Sequence, residues 1–186
     1  MRRRTFLLGL AGAAGVGGLA ATVSGAARWA SSEELVQMQE DWKVFGPDGW
    51  DPDLDLTRVE KSEDDWKAQL DPLAYDVLRR EGTERAFTHP YNDLKVAGVF
   101  LCAGCELPLF TSAMKFDSGT GWPSFFTAIP GHLGTKKDFK LIWPRTEYHC
   151  ARCGGHQGHV FDDGPPPTGQ RWCNNGVALK FLPKAA

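Results

Sequence analysis

Cys102-Ala103-Gly104-Cys105 and Cys150-Ala151-Arg152-Cys153 repeat one spacing, C-x-x-C. That spacing lets a tight turn aim two thiolates at a single point. Two such knuckles make a closed tetrahedral four-cysteine site for Zn2+, with sulfur–metal bonds of about 2.3 Å. The interval 106–149 far exceeds the roughly 15–20 residues between knuckles in a small zinc ribbon. The metal therefore staples two distant segments of one larger domain. Two disulfides are the competing use of four cysteines, and paired knuckles favour metal. Of the five cysteines, Cys173 is left over, in Arg171-Trp172-Cys173-Asn174-Asn175.

Around the knuckles the texture is that of short strands. Residues 96–102 predict a strand running into the first knuckle, 139–143 and 176–181 predict two more, and His159-Val160-Phe161 a short one. Gly- and Pro-rich turns such as Asp162-Asp163-Gly164-Pro165-Pro166-Pro167 separate them. The pattern is a compact, mainly antiparallel β domain preceded by helices. Ser62 is a helix N-cap with Asp65 placed to reach back to it, and Trp66 and Leu70 fall on one face toward the core. Asp71-Pro72 starts a second helix, which Gly82 should stop.

Upstream, Arg2-Arg3-Arg4 precedes a mildly apolar Gly/Ala-rich run with small residues at Ser24-Gly25-Ala26. This is the anatomy of a secretory signal over 1–26, and Arg3-Arg4-Thr5-Phe6-Leu7 fits the twin-arginine pattern for exporting folded chains. An extracytoplasmic, for instance periplasmic, location is expected, with an uncleaved membrane anchor as the alternative. Residues 27–60 are polar, acidic and turn-rich, an extension from which Trp42 or Trp50 can dock on the domain over 61–184. A net charge of −2 offers no field for nucleic acid, and no basic-aromatic stripe is present. A monomer is expected.

In extended chain, residues two apart point the same way, so Arg171, Cys173 and Asn175 share a face. The guanidinium favours the Cys173 thiolate, which is the nucleophilic form, and the Asn175 amide is placed to orient a substrate or a water. The bland reading, Cys173 as a small buried hydrophobe, sits poorly with such company. His156 and His159, just past the second knuckle, are open to roles as metal ligands, core histidines or proton donors. With the metal already closed by four sulfurs, the donor role stands out. His89, His132 and His149 are taken as surface residues. Trp122, between Gly121 and Pro123, is positioned to wall an apolar pocket.

These segments together resemble the B-type methionine sulfoxide reductases, over about residues 61–182. The resemblance is carried by Gly82-Thr83-Glu84-Arg85-Ala86-Phe87, by 115–125, by 150–167 and by the R-x-C-x-N segment 171–175. It implies two antiparallel sheets with a four-cysteine zinc site (Cys102, Cys105, Cys150, Cys153) away from the active site. It further implies reduction of the R epimer of methionine sulfoxide in proteins, in the service of repair after oxidative stress. Cys173 matches the nucleophile, Arg171 and Asn175 its flanking residues, His156 and His159 the active-site histidines, and Trp122 the methyl-pocket tryptophan. Many members carry a resolving cysteine where this chain has Thr120. The implied sulfenic acid on Cys173 is then reduced by an outside thiol or a thioredoxin-like donor. The alternative from another class is a non-catalytic, zinc-stapled module that binds methionine-rich partners.

Overall fold

The computed structural model describes residues 29–139 and 144–184. Within them the chain runs through three helices, α1 (Ser32–Glu40), α2 (Glu63–Gln69) and α3 (Pro72–Arg80). Nine strands follow: β1 (Gly98–Cys102), β2 (Pro108–Thr111), β3 (Lys115–Phe116), β4 (Ser124–Phe125), β5 (Leu133–Asp138), β6 (Arg145–Cys150), β7 (His156–Phe161), β8 (Arg171–Asn174) and β9 (Leu179–Pro183). They form two antiparallel sheets, β2-β1-β9 and β3-β4-β8-β7-β6-β5. Stacking across them are Phe110 from the first sheet and Phe125 from the second, centroids 4.0 Å apart and nearly parallel, with Phe100 edge-on to Phe125 at 5.1 Å. Burial of these rings, together with Leu78, Leu107, Leu109 and Met114, supplies the apolar drive that holds the layers together.

Local signals were obeyed where they were self-contained. Ser62 caps α2 in a full capping box with Asp65, and Trp66 and Leu70 are buried. Asp71 caps α3 with Pro72 in the first turn. That helix stops one residue earlier than expected: Glu81 takes the left-handed conformation (φ 59°) and Gly82 follows it. A Cβ on Gly82 would lie 2.1 Å from Asp76 Oδ2, so the glycine is there for close packing rather than for positive φ.

Three expectations change. The strand expected at 139–143 lies outside the described residues beyond Phe139; strands β5 and β6 flank it instead. The strand expected from Gly176 begins at Leu179, because 176–178 form a 3-10 turn whose amides are taken by Glu84: Gly176 N–H at 2.6 Å and Val177 N–H at 2.9 Å. The extension is not featureless either. It carries α1, with a Ser31–Glu34 capping box; Trp42 docks as expected, buried with its ring 6.0 Å from Trp50 and 5.8 Å from His132. No helix among the described residues is long and apolar enough to cross a membrane. The expected signal over 1–26 lies outside the described residues.

Candidate active site and metal centre

Each knuckle follows the end of a strand, β1 or β6, and the two are built alike. Cys102 N–H donates to Leu107 O at 2.8 Å, and Glu106 N–H returns to Cys102 O at 2.8 Å; Cys150 N–H donates to Gly155 O, and Gly154 N–H to Cys150 O, both at 2.9 Å. The fourth residue after each leading cysteine is left-handed, Glu106 at φ 61° and Gly154 at φ 67°. At Gly154 a Cβ would also meet the Arg58 guanidinium at 2.7 Å. The turns bring all four sulfurs within 4.8 Å of one another. Cys102 and Cys153 are separated by 3.6 Å, and Cys105 and Cys150 by 3.5 Å. A tetrahedron with 2.3 Å bonds has sulfur–sulfur edges of about 3.8 Å, whereas a disulfide needs about 2.05 Å. All five cysteines are free of disulfides. The spacing therefore fits a metal ion, and the disulfide alternative is set aside. Neighbouring sulfurs, then burial, push the Cys102 thiol well up; such crowding calls for a cation.

The second site lies on the six-stranded sheet. Cys173 on β8 is directly opposite Ser124 on β4 and His159 on β7; His159 is opposite Glu147 on β6, and Glu147 opposite Lys136 on β5. Residues facing one another across antiparallel strands share a face, so these five make one transverse row. In a regular strand His156 and His159, three apart, would face opposite ways. A bulge in β7, where Tyr148 and His149 pair with Gly158 and His156, resets the alternation. The two rings thereby come within 5.5 Å.

A small open cleft at this row is lined by Thr83, Trp122, Arg145, Gly158, His159, Phe161, Cys173, Asn174 and Asn175. His159 Nε2 lies 2.8 Å from Asp138 Oδ2, which also accepts from Arg145 Nη2 at 2.7 Å. His156 is fully buried behind the cleft. Its Nδ1 is 2.9 Å from Glu147 Oε1, off the line of a good hydrogen bond, and its Nε2 has no partner. Burial lowers both histidines, against the pull of Glu147 on His156 and of Asp138 on His159. Burial thus favours the neutral imidazole in both.

Arg171 does reach Cys173, as alternation predicts, but it is also held by Asp163 through Nε at 2.8 Å and Nη2 at 2.9 Å, and it lies over the Phe161 ring. Burial pushes the Cys173 thiol up; Arg171 and the Thr120 hydroxyl oppose it, and Asp163 adds to the rise. Arg171 thus favours the thiolate, as expected, but burial outweighs it and the net direction is upward. A guanidinium shared with a carboxylate cannot outweigh desolvation. Asn175 lines the cleft, yet its Oδ1 accepts from Glu84 N–H at 3.1 Å and its Nδ2 donates to Gln157 O at 3.0 Å. It pins the end of β8 rather than offering a free amide. His132, expected at the surface, is buried with Nδ1 2.6 Å from Pro108 O, and His89 and His149 are half-buried.

Sequence reasoning missed Asp138, Glu147, Arg145, Asp163 and Glu84, each brought in by a partner on another strand or loop. It also missed Gln157, fully buried, which donates to Cys102 Sγ at 3.4 Å and accepts from Asn174 Nδ2 at 3.2 Å.

A family model, the SelR domain, matches residues 70–183. The chain belongs to this family. Among relatives of the SelR domain, the peptide methionine sulfoxide reductase MsrB of Agrobacterium fabrum is 51% identical over 132 residues, 70% of this chain and 98% of that protein. The MsrB of Pseudomonas putida is 49% identical over 130 residues, 69% and 98% respectively. The chloroplastic peptide methionine sulfoxide reductase B1 of Arabidopsis thaliana is 53% identical over 121 residues, 64% and 60%. The SelR match takes in both knuckles and the whole cleft, and leaves α1, Trp42 and Trp50 outside it.

Proposed function

We propose that this chain reduces methionine (R)-sulfoxide in peptides and proteins, with Cys173 as nucleophile and His159 as proton carrier. The observation that carries the assignment of roles is the pairing of Cys173 with His159 across β8 and β7 beneath Trp122. The starting state is a neutral thiol beside a neutral imidazole. The Cys173 proton passes to His159, whose imidazolium is held by Asp138. The sulfur then attacks the sulfoxide sulfur as the proton is delivered to the sulfoxide oxygen, a poor leaving group until protonated. Sulfur–oxygen bonding passes from substrate to enzyme: sulfoxide plus Cys173 thiol gives thioether plus Cys173 sulfenic acid. The substrate sulfur gains two electrons, the Cys173 sulfur loses two, and the thiol proton ends on the transferred oxygen. Trp122, its indole N–H fixed to Glu84 O at 3.2 Å, walls the methyl group so that one epimer presents its oxygen correctly.

The other four cysteines are gathered in the tetrad, so the sulfenic acid has no free partner in the chain. An outside thiol condenses with it, releasing water and leaving a mixed disulfide, and a second thiol frees Cys173. A thioredoxin-like protein or a small thiol suits this step. Zn2+ is the ion proposed for Cys102, Cys105, Cys150 and Cys153, because four closed thiolates at this spacing suit a structural tetrahedral site. Its contribution is to fasten the knuckles. Export is proposed from Arg3-Arg4-Thr5-Phe6-Leu7; fractionation of cells expressing the chain with and without Arg3-Arg4→Lys-Lys tests it.

The deciding assay incubates the chain and dithiothreitol with separated R and S sulfoxide peptides. Consumption of R alone is expected. Consumption of neither, or equal consumption of both, refutes the assignment. The binding-only alternative fails on the same result.

A further inference from the structure

Phe87 is anomalous in two independent ways. Its backbone is left-handed, φ 62°, where a bulky L residue is strained, and its side chain is 70% exposed. Only Phe139, at 73%, is as bare among the large apolar side chains of the described residues. Glycine or asparagine would be more comfortable here, and burial returns nothing for the ring. The surrounding structure nevertheless enforces the arrangement. Phe87 N–H donates to Gly121 O at 2.8 Å. A Cβ on Gly121 would meet the Phe87 ring at 2.6 Å, so the ring lies directly on that glycine's backbone. On the other side Glu84 anchors the segment: its N–H goes to Asn175, its carbonyl takes the Trp122 indole N–H, and its carboxylate takes the amides of 176 and 177.

The ring is thus continuous with the cleft without lining it. Gly121 carries it, Trp122 is the next residue, and Thr83 of the same segment is at the cleft wall. Phe139 follows Asp138, the carboxylate that holds His159. The two barest apolar side chains are each attached to the machinery of one small pocket, into which the oxidised methionine side chain of the proposed substrate would reach. The polypeptide bearing that side chain must then run across the rim.

Building on the reductase reading above, we infer that Phe87 is a platform for the polypeptide substrate. It favours extended segments in which an apolar or aromatic residue neighbours the oxidised methionine, as in the exposed core of a partly unfolded protein. Strain and exposure held together beside a site are what a binding surface requires and what folding alone would remove.

The test compares three R sulfoxides on the full chain with dithiothreitol: N-acetyl-methionine sulfoxide, a glycine-flanked peptide, and a leucine- or phenylalanine-flanked peptide. Wild type is expected to favour the apolar-flanked peptide over the glycine-flanked one by about tenfold in kcat/KM, through KM. Phe87→Asn, which tolerates the left-handed backbone, should bring that ratio near one. It should leave N-acetyl-methionine sulfoxide turnover within twofold and not lower the melting temperature; Phe87→Tyr should keep the preference. A preference unchanged in Phe87→Asn overturns the inference. So does a uniform loss on all three substrates, since the ring would then merely support the Trp122 loop. Turnover of none of the three by wild type sinks the reductase reading and the platform with it; turnover without flank preference sinks the platform alone.

Discussion

The knuckle end of the molecule and the cleft end use the same atom under opposite conditions. At the knuckles four sulfurs converge, and donors clamp the knuckle carbonyls: the side chains of Gln69 (Nε2 on Gly104 O at 2.7 Å) and Arg79 (Nη1 on Cys153 O at 3.0 Å), and the backbone Val59 N–H on Arg152 O at 2.9 Å. In the cleft one sulfur stands apart, half-buried, ringed by a guanidinium, an imidazole, an indole and a hydroxyl. A thiolate among thiolates is stabilised by a cation and becomes inert. A lone thiol has no such crowd: burial pushes it up, and one guanidinium pulls it down. Number and neighbours decide the fate of the sulfur.

The sharpest way to break this comparison exchanges the two fates. Cys173→Ser should lower turnover by roughly a thousandfold or more, with metal content and melting temperature unchanged. Cys102→Ser should lose the metal and with it cooperative unfolding, because structural binding energies are on the order of 10 kcal/mol. Metal analysis, thermal melts and turnover on the same samples separate the outcomes. A Cys173→Ser protein that loses metal, or a Cys102→Ser protein that melts normally, would show that the division is wrong.

The next effect is electrostatic and has two signs. Arg171 lowers the Cys173 thiol and Asp163 raises it, against a background of burial that raises it most. Arg171→Ala should therefore slow alkylation of Cys173 by iodoacetamide at pH 8, roughly three- to tenfold, and move its pH profile to higher pH. Asp163→Asn should move the profile the other way. Shifts of the same sign in both variants would mean that loop geometry, not charge, governs the thiol.

Both ends were legible in the sequence where the signal was local. A C-x-x-C pair, a capping box or a proline in a first turn is decided within a few residues, and each formed as expected. The i, i+2 rule also placed Arg171 beside Cys173. What was hidden depended on partners outside the local window. The bulge in β7 that turns His156 toward Glu147 exists only against β6. The 3-10 turn at 176–178 is set by Glu84, some ninety residues away. The raised Cys173 thiol depends on Asp163 and on burial, neither of which a C-x-N pattern reveals. In the extension the docking tryptophan was legible, but α1 was not, because its apolar side chains are few and buried nowhere along the helix.

Gln157 tests whether the two ends are independent. Its side chain touches Cys102 Sγ on one side and Asn174 on the other, while its backbone O receives both Asn175 groups. Gln157→Leu keeps the volume and removes the polar bridge. Turnover should fall about three- to tenfold and metal release to a chelator should quicken by a similar factor. Only one of the two changing would mean that the sites are merely neighbours in the fold.

The smallest effect is spread over the molecule. All five histidines are lowered, with burial the leading cause in every case. In the unfolded chain a histidine takes up its proton at about pH 6.5. Below that pH the unfolded state binds more protons than the folded one, so stability rises with pH in this window and is lost on acidification. The Asp163 carboxyl, lowered by Arg171, adds its own loss only in much stronger acid. The urea midpoint should therefore decline from pH 6.5 to 5 while bound metal, measured alongside, stays constant. His156→Gln should flatten the decline, since His156 is the most deeply buried of the five and its Nε2 has no partner to reward protonation. A midpoint that holds level to pH 5, or one that falls only as metal leaves, would assign acid sensitivity to the knuckles and not to the imidazoles behind the cleft.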